Sequence, residues 1–229
     1  RCVMILNVVL KMILRSWWRN KVFFLVSVAS LALGLACTNL LMTYFVHEHG
    51  LEGRNPDRDR MFFLRQDDPM TEGKRVAFAG AEIPPQLKQS YAEVENFLRL
   101  GKLDLLYCKV NEQKVEGDFK MLSADTTLTN FFDYRTEEGS LSQVLCQPGK
   151  VALSEACARR LFGGKQAVGK QVEAHFRFGE VRPYEVAAVL KKREQSLLQF
   201  DMLIAHDPDF FWGGLTLLKL TPGTDAGHL

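Results

Sequence analysis

The chain has 229 residues, of which 47% are hydrophobic and 24% charged, with a formal net charge of +2. That balance suits an ordinary globular domain, and with no basic run interleaved with aromatics beyond residue 50 it gives no footprint for nucleic acid. The average hides an asymmetry, because the first fifth is almost wholly apolar or basic while the rest mixes strands, turns and charges, so the two regions answer to different solvents.

At the start, Val3 to Leu14 is apolar but too short to cross a bilayer, and it reads as an interfacial helix lying along the cytoplasmic leaflet. It runs into a basic, aromatic collar, Arg15, Trp17, Trp18, Arg19 and Lys21. From Val22 to Val46 no residue carries a formal charge; about 25 residues at ~1.5 Å rise make about 37 Å of helix, more than the ~30 Å hydrocarbon core of a bilayer. Only Ser27, Ser30, Thr38, Asn39 and Thr43 interrupt the run, and with Ala32, Gly34 and Ala36 they are residues that let helices pack closely in lipid. Basic residues crowd the N-terminal flank, whereas Arg54, Arg58 and Arg60 lie farther beyond the span among acids, so the N-terminus is expected in the cytoplasm and residues 47–229 outside it. A cleaved signal peptide would have a shorter apolar stretch. Gly34-Leu35-Ala36-Cys37 is a poor lipoprotein box, since the chain stays apolar beyond Cys37. The organisation expected is a cytoplasmic segment 1–21, a membrane helix 22–46 and an extracytoplasmic domain 47–229.

Beyond the span, His47-Glu48-His49 places two histidines on different helix faces, which does not suit a metal. Arg60 to Arg65 reads as a first strand, and Ala81 to Tyr91 as a helix opened by Pro84 and Pro85. Leu103 to Val110 and Lys114 to Ser123 read as paired strands about a polar turn at Asn111-Glu112-Gln113. Ser154 to Phe162 is a short helix capped by Ser154 and ended by Gly163-Gly164. Strands are expected at Gln171 to Phe178, Tyr184 to Leu190, Phe200 to Ala205 and Leu215 to Leu220. Several of these are adjacent, so the domain is read as α+β rather than doubly wound. The chain begins at Arg1 instead of Met and stops soon after the last of these strands, and is expected to be a fragment.

No motif carries catalysis. Gly164 to Gln171 matches a phosphate-binding loop except for its last position, but a helix precedes it, a strand follows, and Gln171 replaces the hydroxyl that would hold magnesium. Asp67-Asp68, Glu137-Glu138 and Asp207-Pro208-Asp209 are expected in solvated loops. His175, His206 and His228 stand alone, and no serine sits in a nucleophile elbow. Catalytic, cofactor-binding and metal-ligating residues are all expected to be absent. Of the five cysteines, Cys108, Cys146 and Cys157 could form one disulfide in an oxidising compartment, with unpaired buried thiols the simpler expectation.

Arg15-Ser16-Trp17-Trp18-Arg19-Asn20-Lys21-Val22-Phe23 leading into Leu31 to Cys37 resembles the first membrane helix of MacB/FtsX-type ABC transporter permeases, in the form found in Bacteroidetes. Asn55 to Phe62, Phe131-Phe132-Asp133, Val151 to Gly163, Val168-Gly169-Lys170, Tyr184-Glu185-Val186 and Leu218 to Gly223 resemble, in the same order, the MacB-like periplasmic core domain. The resemblance implies a permease subunit in the inner membrane, powered by a cytoplasmic ABC ATPase subunit, whose periplasmic domain relays motion or engages cargo for export or mechanotransmission. Its partners would be that ATPase, other permease segments or a second permease copy, and membrane lipid. The coupling residues it suggests are Arg15, Trp17, Trp18, Arg19 and Lys21 as a cytoplasmic anchor and Gly34 as a packing point. No ATPase motif occurs in this chain, and the competing expectation is a single-span anchored sensor or binding module.

Overall fold

The computed structural model describes residues 21–50, 55–67, 74–164, 166–177, 179–191, 198–208 and 213–224, with residues 47–50 described as backbone alone. The expected interfacial helix Val3 to Leu14 and collar residues Arg15, Trp17, Trp18 and Arg19 lie outside the described residues, as do the side chains of His47 and His49. Contacts divide the chain into two units, Arg1–Leu51 and Glu52–Leu229.

In the first unit one helix, α1, runs Lys21–Gly50. Nearly every side chain from Val22 to Val46 is exposed, on all sides of the helix, with Leu31 66%, Leu33 68% and Leu40 71% accessible. An apolar helix without a polar face requires an apolar solvent. Lys21–Val46 is long and apolar enough to cross a membrane, and it is the one such helix among the described residues.

The second unit is α+β. A 3-10 turn at Arg58–Arg60 leads into β1 (Met61–Phe63), followed by β2 (Gln66–Asp67), β3 (Arg75–Val76), β4 (Ala79–Gly80), α2 (Ile83–Ser90) and β5 (Val94–Val110). Then come β6 (Gln113–Glu116), β7 (Lys120–Ala124), α3 (Leu128–Phe131), β8 (Thr136–Gly139), α4 (Leu141–Cys146), β9 (Lys150–Ser154) and α5 (Glu155–Phe162). The described elements end with β10 (Gln171–Phe176), β11 (Val181–Leu190), β12 (Met202–Ala205) and β13 (Gly213–Leu220).

Strand β5 is the spine of this unit. Its outer half pairs with β13, which in turn pairs with β1; its inner half pairs with β10; and on its other edge Leu100 to Asp104 pair with β7. Because β10 continues through β11, β9, β12 and β7, that last pairing closes a circuit of six strands, β5–β10–β11–β9–β12–β7, back on β5. Two of its ladders, β9 with β11 and β7 with β12, are parallel. Parallel strands are generally buried on both faces. Val151 and Leu153 of β9, with Met202 and Ile204 of β12, join one apolar cluster. Ala152 and Leu203, their neighbours in sequence, join the other. Helix α5 covers the first cluster through Cys157, Ala158, Leu161 and Phe162. The second receives α4 through Leu141, Val144 and Leu145, and α3 through Leu128 and Phe131.

Local chemistry explains several boundaries. Ser154 Oγ accepts the Cys157 N–H at 3.2 Å, and Gly163 takes the left-handed conformation that ends α5 with its N–H on the Arg159 carbonyl. Asn111 and Glu112 both have positive φ, 49° and 65°, making a two-residue hairpin between Val110 and Gln113. The strand expected from Lys114 to Ser123 is broken at Gly117, where Phe119 turns into the core beneath the Arg160 guanidinium, 4.4 Å from its ring. Glu137-Glu138, expected in a loop, lie instead on edge strand β8 against β11. The chain passes so close there that any Cβ on Gly139, at φ 76°, would overlap the Ala187 carbonyl oxygen.

Candidate functional site

The most polar organised part of the second unit is where its first described residues meet the edge sheet. Asn55 makes the turn: its Oδ1 accepts the Asp57 N–H at 3.0 Å while its Nδ2 donates to the Phe131 carbonyl at 2.5 Å. The Arg58 and Arg60 N–H groups then bond back to the carbonyls of Asn55 and Asp57, closing the 3-10 turn. Such Asx turns form because a short side-chain carbonyl can stand in for a backbone acceptor. The turn sets Asp57 and Arg60 on one side, against the last residues of β13.

Four charges converge there. Lys219 Nζ donates to Asp57 Oδ2 at 2.5 Å, with the Asn130 carbonyl at 3.5 Å and Glu95 Oε1 at 3.7 Å. Arg60 pairs with Asp57, donates through Nη1 to Glu95 Oε2 at 2.6 Å, and uses the same nitrogen to bond the Leu220 carbonyl at 2.9 Å. Lys219 is buried, with 9% of its side chain accessible, while Asp57 and Arg60 keep 26% and Glu95 41%. A lysine is seldom buried without a carboxylate partner. Hydrogen bonds from Lys219, then Arg60, hold the Asp57 carboxyl below the usual carboxylate range. The bond to Asp57, then that to Glu95, raises the Arg60 guanidinium. Two cations and two anions balance, so the cluster carries no net charge and is a clamp rather than an ion-binding site.

A second polar node lies farther along β5. Arg99 grips Asp125 with Nη2 to Oδ1 at 2.7 Å and Nε to Oδ2 at 3.0 Å, and its Nη1 bonds the Ala81 carbonyl at 3.0 Å. This bidentate pair ties β5 to the start of α3 and to the lead-in of α2. Burial, and then the nearby Arg99, lower the affinity of His206 for a proton.

Of the residues singled out from sequence, Lys21 opens α1, and Gly34 lies in its middle with no atom within 4 Å of where a Cβ would stand. The Thr38 hydroxyl donates to the Gly34 carbonyl at 2.9 Å, so this polar residue is satisfied within its own helix. The phosphate-loop lookalike is a helix-to-strand turn: α5 precedes it, β10 follows it, and Lys170 is tied in through Ala167 and Val186. The Lys170 ammonium lies 4.8 Å from the Phe162 ring centre. Cys108 and Cys157 are buried free thiols, and Cys146 is a free but exposed one, so the expectation of buried thiols fits two of the three. Burial pushes the Cys108 thiol up to about 12 and raises Cys157 as well. No group of three metal-ligating side chains occurs among the described residues.

Asn55 to Phe62 and Leu218 to Gly223 carry the family resemblance in the sequence, but no local motif marks either as part of a site. One signal was available. Lys219 is a lone charge inside the apolar run Leu217-Leu218-Lys219-Leu220, and such a residue needs a counter-charge from elsewhere in the chain.

The family described as MacB-like periplasmic core domain matches residues 24–226. No curated protein matches the chain. Among solved structures, a domain of a protein described as a permease from Porphyromonas gingivalis is similar, with TM-score 0.62 and 20% identity over 76% of this chain and 81% of that one. The periplasmic region of MacB from Actinobacillus actinomycetemcomitans aligns with TM-score 0.51 and 11% identity, covering 73% and 76% of the two chains. The extracellular domain of the noncanonic ABC-type transporter YknZ from Gram-positive bacteria aligns with TM-score 0.53 and 16% identity over 71% and 83%. At these identities what is shared with the three structures is the fold.

Proposed function

This chain belongs to the MacB-like periplasmic core domain family, and from that premise we propose that it is the N-terminal part of an inner-membrane ABC transporter permease subunit that couples a cytoplasmic ATPase to its periplasmic domain for export or mechanotransmission. The family is a transporter component rather than an enzyme family, and the α+β unit is its periplasmic domain. The observation that carries the proposal is the order of parts: a match over 24–226 that begins inside an apolar, exposed helix and continues through the whole α+β unit.

In this reading the segment 1–21 lies on the cytoplasmic face, 22–46 spans the membrane, and 47–229 is periplasmic. Arg15, Trp17, Trp18, Arg19 and Lys21 anchor the cytoplasmic end at the lipid interface, where cationic and indole side chains are favoured. Gly34 is the packing point for later spans or a second permease copy. Among the described residues no atom lies within 4 Å of a Cβ at Gly34, which leaves room there for the close approach of another helix. A stiff helix is what lets a conformational change in a cytoplasmic ATPase reach a domain across the bilayer.

Orientation is tested by thiol labelling in spheroplasts. Cys146, exposed on α4, is a native reporter and should react with a membrane-impermeant maleimide. With Cys2 and Cys108 replaced by serine throughout, a cysteine placed at Arg15 in a Cys146→Ser background should stay protected until the membrane is permeabilised. The reverse pattern would refute the orientation. Coupling is tested by Gly34→Leu in the full-length permease with its ATPase: it should insert normally but lose transport-coupled ATPase stimulation. Retained stimulation would mean that the helix is only a tether.

A further inference from the structure

We propose that Asp57, Arg60, Glu95 and Lys219 form a latch that delivers movement of the membrane helix to three strands of the periplasmic domain at once. The proposal rests on the permease reading above and adds to it where on the domain the motion enters. It starts from how poorly β1 could do this alone. β1 has three residues, lies at the edge of the sheet next to β13, and leaves Phe62 and Phe63 37% and 41% accessible. An end strand this short, pulled from its N-terminus, would peel from β13 one hydrogen bond at a time.

The latch changes how that load is shared. Met61 stands opposite Lys219, and Lys219 opposite Asn96, so β1, β13 and β5 meet in one row beside the cluster. Arg60, at the foot of β1, reaches the Leu220 carbonyl on β13 and the Glu95 carboxylate on β5. Asp57, three residues nearer the helix in sequence, holds Lys219 of β13. Asn55, nearer still, is bonded to the Phe131 carbonyl at the end of α3. A pull arriving at residues 55–60 therefore loads β1, β13, β5 and α3 in parallel. β5 is the decisive member, because its inner half belongs to the closed six-strand circuit. The motion thus reaches the rigid part of the domain through β5, and β1 is spared.

The burial of Lys219 fits this role. With Asp57 removed the ammonium would keep only a 3.7 Å carboxylate and a 3.5 Å carbonyl, so the latch has one tight state and opens when its central pair parts. A purely stabilising surface pair would have little to gain from such an arrangement. The exposed Glu155–Arg159 pair on α5, at 2.5 Å but 43% and 68% accessible, is the natural contrast.

The test uses the full-length permease in lipid nanodiscs with its ATPase, comparing wild type, Asp57→Asn, Glu95→Gln and the control Arg159→Ala. Hydrogen exchange reads the latch directly. In Asp57→Asn the amides of β1 should exchange at least about tenfold faster while those of Val151 to Leu153 in the circuit are unchanged, with Glu95→Gln giving a smaller effect in the same place. ATPase stimulation should fall in the same rank order, and Arg159→Ala should match wild type in both readings. Unchanged β1 exchange in both Asp57→Asn and Glu95→Gln overturns the latch, and so does full stimulation with β1 freed. A wild-type complex that shows no ATPase coupling overturns the permease reading instead, and the coupling role of the latch falls with it.

Discussion

The six-strand circuit and the clamped edge sheet share β5, yet they are held by different forces. In the circuit, β9 and β12 bury consecutive residues on both faces, with Val151, Ala152, Leu153, Met202 and Leu203 wholly inaccessible. Its cohesion is apolar and indifferent to salt or moderate acid. At the edge, a three-residue strand with two half-exposed phenylalanines is fastened by four charges. There the charges add to the strand ladders and to a small apolar cluster of Val94, Leu218 and Leu220, and this electrostatic part can be weakened without touching the core of the circuit. One domain thus combines a rigid body with an attachment whose strength is set separately.

The largest effect should come from the circuit. Leu153→Ala removes a fully buried side chain on a strand flanked by parallel β11 and antiparallel β12, and should cost about 2–5 kcal/mol by chemical denaturation of the full chain. A loss well below that range would mean that the circuit is looser than its burial implies. The edge should respond next, and to pH. The Asp57 carboxyl is held below the ordinary carboxylate range of about 4, so its contribution is complete above that range and is lost as pH falls through its lowered folded value. Protection factors from hydrogen exchange on an acid series, corrected for the intrinsic pH dependence of amide exchange, should therefore fall at β1 before β9, and Asp57→Asn should reduce that pH dependence at β1. Simultaneous loosening of both strands would erase the distinction between the regions.

Smaller changes sharpen the comparison by testing local devices inside the rigid part. Ser154→Ala deletes the hydroxyl that caps α5, and should cost about 1 kcal/mol in the same denaturation experiment. Glu112 sits at φ 65°, where a side chain is strained, so Glu112→Gly should stabilise the hairpin by roughly 0.5–1 kcal/mol. A destabilising result there would show that the Glu112 side chain makes a compensating contact.

Some of this was legible from sequence because the signal is local. An uncharged run from Val22 to Val46 needs no tertiary contact to make it a helix suited to lipid. Ser154 and Gly163 bracket α5 through bonds within a few residues, and Asn111 marks a hairpin whose strands adjoin it. Strand boundaries were read less well where the chain bends. β5 begins at Val94, nine residues before the strand expected at Leu103, because its outer half is defined only by pairing with β13. Glu137-Glu138 reads as a loop in isolation and becomes a strand only because β11 offers it an edge.

What the sequence by itself determined was therefore the membrane helix, the α+β class and the elements whose caps and turns are built from neighbouring residues. Only the tertiary structure decided the closure of β7 onto β5 and the two parallel ladders. The apolar runs Val151-Ala152-Leu153 and Met202-Leu203-Ile204 bury both faces, so no alternation records which strand lies beside them. It also decided the latch, in which Asp57 and Lys219 meet across 162 residues. A charge pair of that kind leaves no periodic trace in the chain, since its free energy comes from burying Lys219 next to a carboxylate that only the folded sheet brings within reach.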